Sequence, residues 1–180
     1  ELAENVELPE PAEASEETAG GAETDGEDSG VILPVVDFEA LKKNGPDIIR
    51  WITLPDSAIN YPVTQTDNNE YYLRHLYDGT YNKAGCLFAD YENQADFSDR
   101  NTIIYGHNMR DDSMFGELHN FKNLEFLAAH PYVYVADETG CRRYEVFAAY
   151  EVSVTSAESY QLEFADDATL TRALEGRREM

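Results

Sequence analysis

Long apolar runs are missing from this 180-residue chain. Nowhere do eighteen apolar residues follow one another, which excludes a membrane-spanning helix within these residues. No signal peptide is visible either, and the chain opens on Glu1 rather than Met, which leaves upstream sequence an open question. Cysteine is scarce. Cys86 and Cys141 are too few for a disulfide framework, they form no CxxC pair, and neither sits beside a histidine, which speaks against a zinc site. This usage fits a cytoplasmic protein and a secreted bacterial one equally. Basic residues are also few, 13 Lys and Arg against 36 Asp and Glu for a net charge of −23. Phosphate contacts need clustered Lys and Arg, and no basic stripe is present, so a nucleic-acid partner is excluded.

The charge is unevenly spread. Residues 1–30 hold eleven acids, no Lys or Arg and no aromatic residue, whereas the other 150 residues carry 25 acids against 13 bases. A segment so poor in apolar groups cannot offset its ordering entropy, and it reads as a disordered, self-repelling tether. A cation-binding acidic tail is the alternative. The expected organisation is therefore a tether over 1–30 and a folded domain over 31–180.

From Val31 onward, apolar runs alternate with turn residues. Asp37 is placed to cap a short helix, FEALKK, stopped at Asn44-Gly45 with Pro46 beyond. RWITLP (50–55) and AINYPV (58–63) read as strands around an Asp56-Ser57 turn, with Pro62 favouring an edge or a strand end. Asp67 and Glu70 have capping-box spacing, which predicts a helix over 68–76. CLFADY (86–91) and NTIIYG (101–106) are further strands, and 114–121 and 123–130 short helices. YVYVAD (132–137) and a long strand over 142–155 make a hairpin, and a last helix over 166–180 starts at an Asp cap. Many short strands with helices inserted irregularly argue for a mainly β barrel or sandwich rather than a doubly wound sheet.

The sharpest chemical feature is IIYGHNM (103–109), where an apolar strand runs into Tyr105-Gly106-His107. A histidine at a strand end is rigidly aimed into an open loop, the setting of many general acids and bases. A hydrogen-bonded structural histidine is the other reading. His75 and His130 lie at helix ends, and His119 is expected at a surface. A metal site of His107, Asp111 and Asp112 matches no standard ligand set. Cys86 reads as a core residue; Cys141 precedes Arg142-Arg143, which is expected to lower its thiol pKa.

Taken together, RWITLPDSAINYPVTQ (50–65), DNNEYYLRH (67–75), GCLFADYEN (85–93) and NTIIYGHNMRDDSMFGEL (101–118) resemble the class B sortases. RRYEVFAAYEV (142–152) and SYQLEF (159–164) follow in the expected order, so the resemblance spans about residues 38–175.

The resemblance implies an eight-stranded, closed β-barrel with peripheral short helices. It also implies a cysteine transpeptidase that cleaves a C-terminal sorting signal after Thr and passes the acyl group to an amine. Implied partners are sorting-signal-bearing surface proteins and a peptidoglycan-precursor or pilin amine. The enzyme is expected at the extracytoplasmic face of a Gram-positive membrane, held by an N-terminal anchor, and no cofactor or metal is implied. His107 matches the family histidine by its YGH context. Asn69, Tyr105 and Tyr160 correspond to substrate-binding positions, with a helix cap and core aromatics as equally open readings. The family cysteine lies in a Thr-Leu-x-Thr-Cys strand after the last helix, with an arginine on the next strand, and neither occurs here. Residues 1–180 alone are thus expected to be inactive, and to be aggregation-prone because the barrel lacks its final strands. A non-catalytic sortase-like binding domain and a Cys141–His107 hydrolase are the competing expectations.

Overall fold

The hairpin of β1 (Ile48–Thr53) and β2 (Asn60–Thr64) lies at the centre of a six-stranded sheet. This computed structural model describes residues 33, 35–153 and 160–178. Residues Glu1–Val35 separate from a second unit, Val36–Met180, to which everything below refers. The tether expected over 1–30 lies outside the described residues.

The strand order is β4-β3-β2-β1-β5-β6, with β3 (Leu87–Ala89), β4 (Ile104–Tyr105), β5 (Tyr132–Asp137) and β6 (Gly140–Glu145). Among the described residues only β2 and β3 run parallel, a geometry that requires a crossover; residues 65–86 supply it. Every other pairing is antiparallel. The architecture is mainly β, a curled half-barrel with short helices around it. Among the described residues the barrel is not closed, since β4 and β6 each have one neighbour.

Ile52, Leu54, Ile59, Val63, Leu87 and Val135 form a buried cluster together with Met114 and Phe121. Alternation explains the choice within each strand: Trp51 and Ile52 point to opposite faces, and only Ile52 joins the core. Pro62 corrects the expectation drawn from its missing N–H. It lies inside β2, an interior strand, opposite Trp51, and is buried. The position tolerates proline because pairing with β3 starts only at Val63.

Helix α1 (Phe38–Asn44) forms where expected, with the Asp37 carboxylate accepting from the Ala40 N–H at 2.9 Å. The helix expected over 68–76 shrinks to a 3-10 turn, Tyr71–Leu73. Asn68 Oδ1, rather than the Asp67 carboxylate, takes the N–H groups of Glu70 and Tyr71 at its entry. Residues 116–122 form a 3-10 turn instead of an α-helix, and α2 (Leu124–Ala129) starts on an Asn123 cap. The long strand expected over 142–155 is cut short. Strand β6 ends at Glu145, 146–153 carry no strand, and 154–155 lie outside the described residues. All six β6 residues are exposed, and past them the Val146 N–H donates to the Pro131 carbonyl at 2.8 Å. Helix α3 (Asp167–Arg178) starts on Asp166, which accepts from the Thr169 N–H and hydroxyl.

Candidate active site

His107 lies two residues beyond β4, half-buried. Its Nε2 is 2.8 Å from the Leu73 carbonyl oxygen. A carbonyl only accepts, so Nε2 carries the proton and, in the neutral ring, Nδ1 is the basic nitrogen. The main chain around the imidazole is tied down as well. The Phe115 N–H donates to the His107 carbonyl at 3.0 Å, and Asn108 bridges to Met114. Within that loop Asp112 and Met114 hold φ of 64° and 54°. Met114 tolerates this strained backbone because its side chain is buried in the core.

Gly106 explains why the strand can turn here. A Cβ at that position would lie 2.3 Å from Leu87 Cδ2 and 2.6 Å from Phe115 Cδ2, so only glycine lets the chain pass between the sheet and Phe115.

Three further candidate residues converge beside this point. The Tyr105 hydroxyl donates to Asp90 Oδ2 at 2.7 Å, and Asn69 Nδ2 donates to the same oxygen at 2.9 Å. Asn69 Oδ1 accepts from the Tyr91 N–H, which fixes the orientation of the amide. The Tyr160 ring lies 6.5 Å from that of Tyr105, nearly parallel to it. The segment carrying Tyr160 is held by Asn101, whose Nδ2 donates to the Gln161 carbonyl at 2.7 Å. Burial, and then the bond to Asp90, push the Tyr105 phenol above its ordinary value, so it stays a neutral donor. Asn69, Tyr105 and Tyr160 therefore belong to one cluster, and His107 joins it through the chain, two residues past Tyr105. The sequence reading missed Asp90, the residue on which two of these side chains meet. Its one signal was a charge directly following the apolar run CLFA.

The remaining candidates lie elsewhere. Asp111 accepts from the Ser113 N–H and hydroxyl, and Asp112 faces His119, so neither acid turns toward His107. His75 stacks on Tyr71 with ring centroids 4.2 Å apart, and its Nδ1 donates to the Tyr71 carbonyl. His130 does the same with Phe126. Both cysteines are free. Cys86 is buried, and burial pushes its thiol up to about 12. Cys141 corrects the expectation of an activated thiol, because its pKa is raised, first by partial shielding from water and then by the Asp137 carboxylate. The neighbouring charge that was to lower it is engaged elsewhere, since the Arg143 guanidinium lies 4.4 Å over the Tyr132 ring. A surface concavity of about 410 Å³ between β1 and the β5–β6 turn holds Lys42, Arg50 and Arg142. Lys42 there pairs with Glu138 and Arg50 with Asp137, and neither His107 nor Asp90 lines it.

Comparison with known proteins places this geometry. The sortase domain matches residues 52–172. Sortase B of Listeria monocytogenes is 44% identical over 125 residues, covering 68% of this chain and 49% of its own length. The chain spans about half the length of the curated relatives it matches. Among solved structures, sortase B from Listeria monocytogenes superposes with a TM-score of 0.71 at 37% identity, covering 78% of this chain and 80% of that one. A Staphylococcus aureus sortase B–substrate complex superposes with a TM-score of 0.74 at 29% identity, covering 79% and 65%.

Proposed function

The chain belongs to the sortase family, and on that premise we propose that it is part of a class B cysteine transpeptidase with His107 as its imidazole. A thiolate attacks the carbonyl of a Thr in a C-terminal sorting signal, forming a thioester as the amine of the next residue leaves. His107 protonates that amine, then takes a proton from the incoming amine as it attacks the thioester. The thiolate, and a guanidinium to stabilise the oxyanion, are proposed to come from strands that follow α3. Asn69, Tyr105 and Tyr160 are proposed to contact the sorting signal, which lies along the cluster beside His107.

One observation carries this reading: an imidazole at the YGH position of a sortase domain, with its tautomer set by the Leu73 carbonyl. A relative solved as a substrate complex supports substrate binding at this site; sorting-signal-bearing surface proteins as substrates, and a peptidoglycan-precursor or pilin amine as acceptor, are part of the proposal. Such an enzyme works at the extracytoplasmic face of a Gram-positive membrane, held by an N-terminal anchor, with residues 1–30 as the spacer.

The test is the complete gene product, incubated with a panel of synthetic Thr-containing signal peptides and small amines. A thioester detectable by mass spectrometry and an amine-linked product are expected, with His107→Ala lowering turnover by about 10²–10⁴-fold. Full turnover without the imidazole would end the assignment of His107. A downstream sequence with no cysteine and arginine strands would leave a sortase-like binding domain instead.

A further inference from the structure

Asp90 follows β3 directly and is buried, 5% exposed, and the reaction above gives it no task. Its Oδ2 accepts from Asn69 Nδ2 at 2.9 Å and from the Tyr105 hydroxyl at 2.7 Å, and its Oδ1 accepts from the Glu92 N–H at 3.0 Å. All three partners are donating, so an acceptor-only group satisfies them together. An amide in its place would turn its NH₂ either on the Glu92 N–H or on the Asn69 NH₂, leaving two donors face to face in a buried site.

Both side-chain partners lead directly to His107. Tyr105 ends β4, and Gly106 alone separates it from the imidazole residue. Asn69 leads into the 3-10 turn whose last residue, Leu73, presents the carbonyl that His107 Nε2–H donates to. Strand β3 and its approach hold the same two segments by main chain: the Cys86 N–H donates to the Tyr72 carbonyl at 2.9 Å, and Phe88 pairs in register with Tyr105. The carboxylate adds a side-chain tie to these, beside the main-chain bond from the Asp90 N–H to the Ile103 carbonyl at 2.9 Å.

Resting on the assignment of His107 as the imidazole of the reaction, we infer that Asp90 is a positioning residue for it. By coupling Asn69 to Tyr105, Asp90 sets the spacing between the 3-10 turn and the end of β4. That spacing keeps Leu73 O within hydrogen-bond reach of Nε2–H and leaves Nδ1 as the proton-exchanging nitrogen. It also fixes the polarity of the cluster: the Tyr105 hydroxyl points its hydrogen at Asp90 and keeps only its lone pairs for another donor.

The experiment is Asp90→Asn in the complete gene product, which preserves shape and removes the acceptor pair. One readout is the two-bond ¹H–¹⁵N spectrum of the His107 ring, assigned by its loss in His107→Gln. The other is kcat and KM with the most active peptide of the panel above. In Asp90→Asn the ring pattern is expected to move from the Nε2–H tautomer toward a mixture, with kcat falling about tenfold and KM rising as Asn69 and Tyr105 lose the carboxylate that holds them. Tyr105→Phe deletes only a hydroxyl and is expected to move the ring pattern in the same direction by less; it decides the matter if Asp90→Asn does not fold. A wild-type tautomer pattern in folded Asp90→Asn, or in Tyr105→Phe in its absence, overturns the inference. The ring spectrum needs no turnover. A displaced pattern in the variant together with an inactive wild type would remove the transpeptidase reading alone, whereas an undisturbed ring in an active background would remove the positioning role alone.

Discussion

Gly116 lies so close to the Met109 carbonyl that a Cβ on it would sit 2.2 Å from the oxygen. That contact closes the base of the loop carrying His107, opposite the tight passage of Gly106. Gly116→Ala must push the Met109 backbone aside, because the obstacle is main chain and cannot change rotamer. It is expected to cost about 1–3 kcal/mol, and Gly106→Ala a similar amount through Leu87 and Phe115. Denaturant melts check this, and equal midpoints for wild type and variant would show that the loop yields freely.

Leu87 is fully buried at the start of β3, which pairs parallel with β2 on one side and antiparallel with β4 on the other. Leu87→Ala leaves a cavity beneath Gly106 and is expected to cost about 2–5 kcal/mol. Leu124→Ala, at an exposed position, is expected to change stability by less than about 0.5 kcal/mol and serves as the comparison.

Asp137 provides the pH dependence. Burial alone would raise its carboxyl, but hydrogen bonds from Thr139 and the charge of Arg50 bring it below 3.8. A carboxylate lowered on folding stabilises the fold above its unfolded value, and that contribution disappears as the pH falls through the folded value. Asp137→Asn is therefore expected to be about 1 kcal/mol less stable than wild type at pH 7. The gap should close below about pH 3.8, the unfolded value, as both proteins become neutral at this site. A gap constant from pH 7 to pH 2.5 would assign the loss to packing instead.

Alkylation separates the two thiols. Burial holds Cys86 protonated up to about 12, and Cys141 is exposed but also raised. Iodoacetamide at pH 8 is expected to label Cys141 more slowly than a free cysteine and to leave Cys86 unmodified until the protein unfolds. Labelling of Cys141 faster than a free thiol would reopen the hydrolase reading that pairs it with His107.

Much of the candidate site was legible before any coordinates. Tyr105-Gly106-His107 announces itself because an apolar strand that meets glycine and then histidine has few reasons to do so, and the surrounding motifs carried the family. Asn69 was legible only through the family, since its partner lies 21 residues away. Asp90 was not legible as a hub, because nothing local distinguishes a carboxylate that accepts three hydrogen bonds from one that faces water.

The elements divide along the same line. The Asp37 cap and strand β5 formed as read because their determinants lie within a few residues of each other. The 68–76 helix and the long β6 failed because each depended on partners at a distance: the Cys86 N–H takes the Tyr72 carbonyl, and just past β6 the Val146 N–H donates to the Pro131 carbonyl while its side chain packs against the core. Sequence alone determined the mainly β class, the Asp37 and Asp166 caps, the acidic first thirty residues and the candidate imidazole, all written in neighbouring residues. Tertiary structure alone decided that β2 and β3 run parallel, that Asn69 and Tyr105 share one carboxylate, and that His107 donates to Leu73. Those contacts join residues 15 to 34 apart in the chain, and only the closing of the sheet determines which of the many possible partners meet.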